Sequence, residues 1–344
     1  MFPYDAILFV SFGGPEGPAD VMPFLENVTR GRNIPRDRLA EVAHHYEAFG
    51  GVSPINQQTR ELIAALEAAM GAGDTKMPRL PVYWGNRNWH PMLAETMKRM
   101  AADGVRRAVA FVVAAYSSYS SCRQYRENIE AARAAVGPAA PAVDKLRVFY
   151  NHPGFIEPMI DRTIEAVARL PEALRDEATL VFTAHSIPYS MATGCRYELQ
   201  LREASRLVAA GSGRSDWTLV YQSRSGPPTQ PWLGPDVCEY LRQAKAKGQV
   251  KAAVLVPIGF LSDHMEVLYD LDHEAKEVCQ EIGLPMERAG TVGAHPRFAR
   301  MIRQLIEERA AGDGTRPAMG EHPASHDVCP VDCCLPPARP AAPA

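Results

Sequence analysis

The feature that most constrains this chain is an alternation of two kinds of segment. Short continuous runs of Val, Leu, Ile and Phe are separated by longer amphipathic stretches, and the pattern persists to about residue 311. Segments 4–12 (YDAILFVSF), 80–85, 107–116, 146–150 (LRVFY), 178–185 (ATLVFTAH), 216–223 and 251–260 read as strands, with a short one near 286. Helical periodicity fills the gaps at 20–30, 36–50, 59–70, 91–104, 123–136, 154–170, 197–211, 235–248, 267–282 and 295–311. Strands that are apolar on both faces and alternate with helices imply parallel sheets covered on both sides. The expectation is an α/β chain of two doubly wound domains, residues 1–145 and 146–312. Helix 295–311 could belong to either. Residues 313–344 form a Pro/Ala-rich tail in which a packed element is not expected without a ligand.

Composition excludes several function classes. The chain has 344 residues, 46% of them hydrophobic, and a formal net charge of -3, so nothing global points to nucleic acid or to an anionic membrane surface. The longest apolar stretch, 108–116, is far too short to span a bilayer. The first residues carry Asp5 and only a brief apolar run, which does not read as a signal peptide, so a cytoplasmic location is expected. No GxGxxG follows a strand, and Gly13-Gly14-Pro15 does not match a dinucleotide fingerprint, so no nucleotide cofactor is expected.

In doubly wound sheets, sites form at the carboxyl ends of strands. Segment 178–185 ends there in His185, followed by Ser186 and Pro188. An imidazole at that place suits proton removal near neutral pH or ligation of a borderline metal such as Fe(II), and a satisfied rim residue is the alternative. After the run VLVPIGF come Asp263, His264 and then Glu266, Asp270 and Glu274 at i, i+4 and i+8. On a helix these share one face, where like charges raise one another's proton affinity. Such a column is either a solvated acidic stripe or a route for a divalent cation. The first half adds Arg30 and Arg32, which suit carboxylate recognition, and the polar groups of His45, Tyr46, Ser53 and Tyr125.

Three of the seven cysteines crowd the end of the chain as Cys329, Cys333 and Cys334, a C-x3-C-C spacing. Without an export signal this favours a metal centre over disulfides. A tetrahedral site needs a fourth ligand; Cys122 is the first choice and Cys195 the rival. Zinc or a [2Fe–2S] cluster would accept the same thiolates. Side chains of adjacent Cys333 and Cys334 diverge, so one of the pair need not bind.

Taken together, SFGGPEGPADVMPFLENVTRGR, HYEAFGGVSPIN, YSSYSSCRQY, TAHSIP, YQSRSGPPTQPWLGPDV and PIGFLSDHMEVLYDLDHE resemble the ferrochelatase family, in order and over nearly the whole chain before the tail. The resemblance implies two Rossmann-like, chelatase-type domains sharing a cleft, binding no dinucleotide and inserting Fe(II), the metal substrate, into a porphyrin. It places the catalytic and metal-binding pair at His185 and Glu266, and the acidic path at Asp270 and Glu274. Porphyrin contacts fall on His45, Tyr46, Ser53 and Tyr125, with Arg30 and Arg32 near a carboxylate edge. Phe12 stands where related bacterial enzymes often carry a tyrosine, which argues against an axial protein ligand there. The similarity of the tail to cysteine-bearing members shifts the expectation from zinc to [2Fe–2S] on Cys122, Cys329, Cys333 and Cys334. The pattern is more similar to members that act on coproporphyrin III than on protoporphyrin IX. A cobalt or nickel chelatase and a tetrapyrrole or metal carrier stay open. So does the iron donor, and the next haem-pathway enzyme is admitted as a partner.

Overall fold

The computed structural model describes residues 2–31, 34–72, 77–226, 229–312 and 315–336. Among these, two parallel sheets of four strands each are formed. The first comprises β1 (Ala6–Ser11), β2 (Val82–Asn86), β3 (Arg107–Val112) and β4 (Ala142–Lys145) in the order β2-β1-β3-β4. The second comprises β5 (Ala178–His185), β6 (Trp217–Gln222), β7 (Ala252–Val256) and β8 (Met286–Arg288) in the order β6-β5-β7-β8. Every residue of β1 and β7 is buried, as expected of strands covered on both faces. Strand order reverses beside β1 and beside β5, the points at which open α/β sheets form their binding crevice. Phe12 follows the first and His185 ends the second.

The helices fall where the periodicity places them, within a few residues. One expected strand does not exist. Residues 146–150 are irregular, although Leu146, Val148, Phe149 and Tyr150 are all buried. The strand is instead Ala142–Lys145 at the sheet edge, whose half-exposed residues hide its period. The apolar run marks a buried connection between the sheets, not a strand of the second.

The last helix, Pro296–Ala311, packs on both Ile55–Met70 and Pro153–Arg169. Its Phe298 joins Phe111, Phe149 and Phe155 in one fully buried aromatic group, with centroids 5.5 Å apart for Phe111–Phe149 and 5.7 Å for Phe149–Phe298. Each such ring contributes roughly 1.5–3 kcal/mol through burial. Arg147, 2% exposed, forks onto Glu308 of this helix at 2.7 and 3.0 Å and also reaches the Pro317 carbonyl at 3.2 Å.

The described tail, 315–336, contains no helix or strand but is held to the body. Met319 N–H donates to the Asn151 carbonyl (2.8 Å), Asn151 Nδ2 donates to the His322 carbonyl (2.8 Å), and Asp327 pairs with Arg309. No helix of the described residues is long and apolar enough to cross a membrane.

Candidate functional site

β5 delivers His185 to the crevice and its neighbours lock it there. Ser186 N–H donates to the Gln222 carbonyl at 2.8 Å, continuing the β5–β6 register, and Ser186 Oγ donates to the Leu233 carbonyl at 2.7 Å. Tyr197 Oη donates to the His185 carbonyl at 3.1 Å. Gly259 closes the other side: a Cβ there would lie 2.6 Å from the Ala184 Cβ, so only glycine lets the segment after β7 approach this strand end. The imidazole Nδ1 donates to the Ser186 carbonyl at 2.5 Å. Nε2 therefore faces the crevice, 3.5 Å from Glu266 Oε1. The two side chains remain 33% and 44% exposed, so both can be reached from solvent.

Glu266 sits at the start of a helix capped by His264, whose Nδ1 accepts the Glu266 N–H at 3.2 Å. After one α-helical turn the chain widens into a π-helix, Leu268–Ala275, which carries Asp270 and Glu274. Such widened turns are frequent at functional sites. Gln222 Nε2 donates to the Glu266 carbonyl (2.5 Å) and to Asp270 Oδ2 (3.3 Å), and Ser223 Oγ donates to the same carboxylate. Ser223 adopts φ 59°, a left-handed conformation costly for a side-chain-bearing residue, in the position from which it reaches Asp270.

The electrostatics divide the acidic residues. Burial opposes the charged ring of His185, yet the Glu266 carboxylate outweighs it and raises the imidazole to about 9. Burial likewise pushes Glu266 up, and the His185 charge more than reverses this, leaving it at about 2. Asp270 moves the other way, to about 7, through burial and then the charge of Glu266 and Glu274. Glu274 is raised by burial and by Asp236. The crevice thus holds a charged His–Glu pair with a carboxyl group behind it that can take or give a proton near neutral pH.

Of the other expected residues, Phe12, His45 and Tyr46 come from the first half of the chain and pack against the glutamate-bearing segment. Phe12 and Tyr46 flank Phe24 (6.4 and 6.0 Å between centroids) in an apolar cluster that also includes Met265 and Tyr269 from the glutamate-bearing segment. His45 stacks on Tyr269 at 3.7 Å and 6°. Tyr125 is buried beneath the Arg87 guanidinium, which also lies 5.6 Å from the centre of the Phe12 ring. Ser53 is buried against the loop after β1, its N–H donating to the Pro15 carbonyl at 2.9 Å. Arg30 is exposed at the end of Pro18–Val28, and Arg32 lies outside the described residues. Gln222, Ser223, Tyr197, Tyr269 and Arg87 were not expected from sequence.

The cysteines form a second assembly. Cys122 sits beside the YSSYSS loop and is buried, its S–H turned to the Ser118 carbonyl at 3.8 Å, and Cys334, 6% exposed, lies in the same apolar core. Cys333 Sγ lies 3.6 Å from Cys334 Sγ and 3.8 Å from His326 Nε2. His326, Cys329 and Cys333 present ligand atoms all within 4.8 Å of one another. Cys195 is near enough for its thiol to feel Cys122 and Cys333, but its S–H is turned to the carbonyls of Met191 (3.3 Å) and Ala192 (3.5 Å). Arg123 and Arg126 donate to the carbonyls of Cys329, Pro330, Val331 and Cys333, so the segment is fixed by its backbone. This donor set fits a thiolate-bound metal centre.

The paired sheets belong to the chelatase-type α/β class. SirB from Bacillus subtilis with Fe3+ has this fold (TM-score 0.54, 11% identity, 89% of this chain and 96% of that one). So does the sirohydrochlorin chelatase SirB of the subspecies spizizenii in complex with cobalt (TM-score 0.51, 11% identity, 89% and 95%). The sequence narrows the class. The model of the ferrochelatase family matches residues 4–310. The ferrochelatase of Rhodopirellula baltica is 55% identical over 97% of this chain and 94% of its own length. The coproporphyrin III ferrochelatase of Streptomyces coelicolor is 52% identical over 99% and 96%, and that of Mycolicibacterium smegmatis 50% over 93% and 94%. The chain belongs to the ferrochelatase family.

Proposed function

We propose that this chain inserts Fe(II) into coproporphyrin III to give coprohaem, a step of haem biosynthesis. The observation that carries the reading is the His185–Glu266 pair, 3.5 Å apart and open to solvent, with Asp270 and Glu274 behind it. The relatives from Streptomyces coelicolor and Mycolicibacterium smegmatis, which bear the coproporphyrin name, support the substrate. In this reading the tetrapyrrole lies between the walls of residues 1–145 and 146–312. Phe12, His45, Tyr46, Ser53 and Tyr125 line or support its pocket, and Arg30 and Arg32 meet propionates at its edge.

Metallation replaces two pyrrole N–H protons by one Fe(II), so two protons must leave. Nδ1 of His185 is committed to a carbonyl, which makes Nε2 the atom that accepts a proton or meets the metal. In the resting pair that atom is already protonated, so an arriving cation must expel a proton. Asp270, poised near neutrality and oriented by Gln222 and Ser223, is the acceptor that passes this proton, and in turn the two pyrrole protons, outward along Glu274 to solvent. Apolar contacts at Phe12 favour a bent ring whose nitrogens are accessible.

The tail is read as holding a [2Fe–2S] cluster, with Cys122, Cys329, Cys333 and Cys334 as candidate thiolates and Cys195 as the second internal choice. When bound, such a cluster supplies a one-electron redox centre. The seven cysteines are free, as suits the reducing cytoplasm in which this reading places the enzyme. The iron donor and the next haem-pathway enzyme would be its transient partners.

Anaerobic incubation with Fe(II) and either porphyrin, followed by visible absorbance, tests the reading. Coproporphyrin III is expected to be metallated faster. Preference for protoporphyrin IX overturns the substrate, and stoichiometric binding without metallated product overturns the enzyme.

A further inference from the structure

We propose that Arg288 is a positioning residue for metal insertion: by holding Asp263 and Asp272 together it fixes the segment that carries Glu266 and Asp270 and so sets Glu266 opposite His185. The inference rests on reading that pair as the insertion site and extends it to a residue outside the pair.

Arg288 ends β8, where pairing with Leu255 of β7 and donation from Arg169 Nη2 to its carbonyl (2.6 Å) fix its backbone. Its guanidinium forks onto Asp272 with two bonds of 2.7 Å, Nε to Oδ1 and Nη2 to Oδ2, and Nη1 donates to Asp263 Oδ1 at 3.1 Å. The Arg288 and Asp263 side chains are 16% and 20% exposed, so this charge pair is largely withdrawn from water. The two carboxylates bracket Glu266 and Asp270 in sequence. Asp263 is also held from the first half of the chain. Its N–H donates to Gln58 Oε1 at 2.8 Å, and Gln58 Nε2 donates to its Oδ2 at 3.4 Å. Thr291 Oγ1 donates to its Oδ1 at 3.3 Å. Gln58 lies on Ile55–Met70, so a helix of the first half and the last strand of the second meet at this carboxylate.

The clamped segment needs an outside brace. A π-helix is a rare, short form, and Leu268–Ala275 holds Asp272 in its widened turn. Relaxation to 3.6 residues per turn would rotate Asp270 about the helix axis relative to Glu266 and away from the Gln222 and Ser223 donors. Net stability does not account for the arrangement, because desolvation offsets much of the attraction in a largely buried ion pair. A two-point grip across the segment that bears Glu266 does account for it. Misplacement of reacting groups by about 1 Å can cost roughly 10²-fold in rate.

The test uses the full chain. For Arg288→Ala, Arg288→Lys and Arg242→Ala, kcat and KM for Fe(II) insertion into coproporphyrin III, porphyrin binding without iron, and amide hydrogen exchange are measured. Arg288→Ala is expected to lower kcat about 10²-fold with porphyrin binding unchanged, and to speed exchange in residues 263–275 but not in β5 or β7. Arg288→Lys, which can meet one carboxylate but cannot fork, should fall between. Arg242→Ala removes an exposed pair with Glu281 (2.9 Å), just past the π-helix, and should change neither rate nor exchange. Native kcat in Arg288→Ala overturns the proposal. So does a loss of porphyrin affinity that matches the loss of rate, since both then report general damage. Should Arg288→Ala not fold, Arg288→Lys decides together with Arg288→Met combined with Asp263→Asn and Asp272→Asn, which removes all three charges. Slow metallation by these folded variants sustains the proposal, and native turnover overturns it. A native chain that metallates neither porphyrin defeats the insertion reading, and exchange then decides this one: faster exchange confined to 263–275 in Arg288→Lys keeps the brace, and unchanged exchange removes it.

Discussion

The crevice and the cysteine assembly place their candidate metal donors by opposite constructions. In the crevice, His185 and Glu266 are placed by a strand end and a helix start, and each is braced by hydrogen bonds to Ser186, Tyr197, Gln222 or His264. Their charges balance one another with no cation present. In the tail, donors sit on an irregular segment gripped by arginines through backbone carbonyls, and the thiols lean on each other. A site that must admit and release a metal in every turnover has to be complete while empty. A site that keeps its metal can take part of its order from the metal itself.

Three measurements press on this contrast, the largest effect first. His185→Ala is expected to lower metallation by roughly 10²–10⁴-fold, the range for loss of a positioned acid–base side chain, and to leave porphyrin binding and the tail's visible absorption in place. Turnover near the native rate would remove His185 from the mechanism, and bleaching of the tail would show that the two regions are one unit. Arg147→Ala leaves Glu308 with Arg316, at 3.7 Å, as its remaining partner, and urea unfolding should show a loss of about 3 kcal/mol, the low end for a broken buried pair. Because Arg147 also holds the Pro317 carbonyl, the tail centre should become labile before turnover declines; the reverse order would break the contrast.

The third is a pH dependence. The raised His185 stabilises the fold below its ordinary value near 6.5, and this contribution fades as pH climbs through about 9. The lowered Glu266 stabilises above about 4.5 and fades as pH falls through about 2. Between neutrality and about 9, one proton leaves His185 for each cation bound, so apparent Fe(II) affinity should rise up to about tenfold per pH unit and then level. An affinity flat over that interval would mean the cation does not displace this proton.

Much of the crevice was legible because its signals are local. An apolar run broken by His185, Ser186 and Pro188 announces a strand end, and the spacing of Glu266, Asp270 and Glu274 announces a shared face. Residues 146–150 deceived because hydrophobicity reports burial, and a buried connection is as apolar as a strand. Gln222 and Ser223 escaped notice because their reach to Asp270 depends on the β5–β6 register and on a left-handed backbone, neither of which is written in residue type. His45 was singled out, but its stacking partner Tyr269 comes from the other half of the chain. His326 stood in plain view in HDVCPVDCC, three residues before a cysteine, where H-x2-C spacing is a usable ligand signal.

The position of Pro296–Ala311 governs how the molecule can be born. It fills a groove against Ile55–Met70, so the N-terminal sheet lacks part of its hydrophobic cover while the polypeptide is still being synthesised. The first half cannot finish before residue 311 has left the ribosome. Such long-range closure makes for slow maturation and leaves sticky surface in the nascent chain, a natural client for a chaperone.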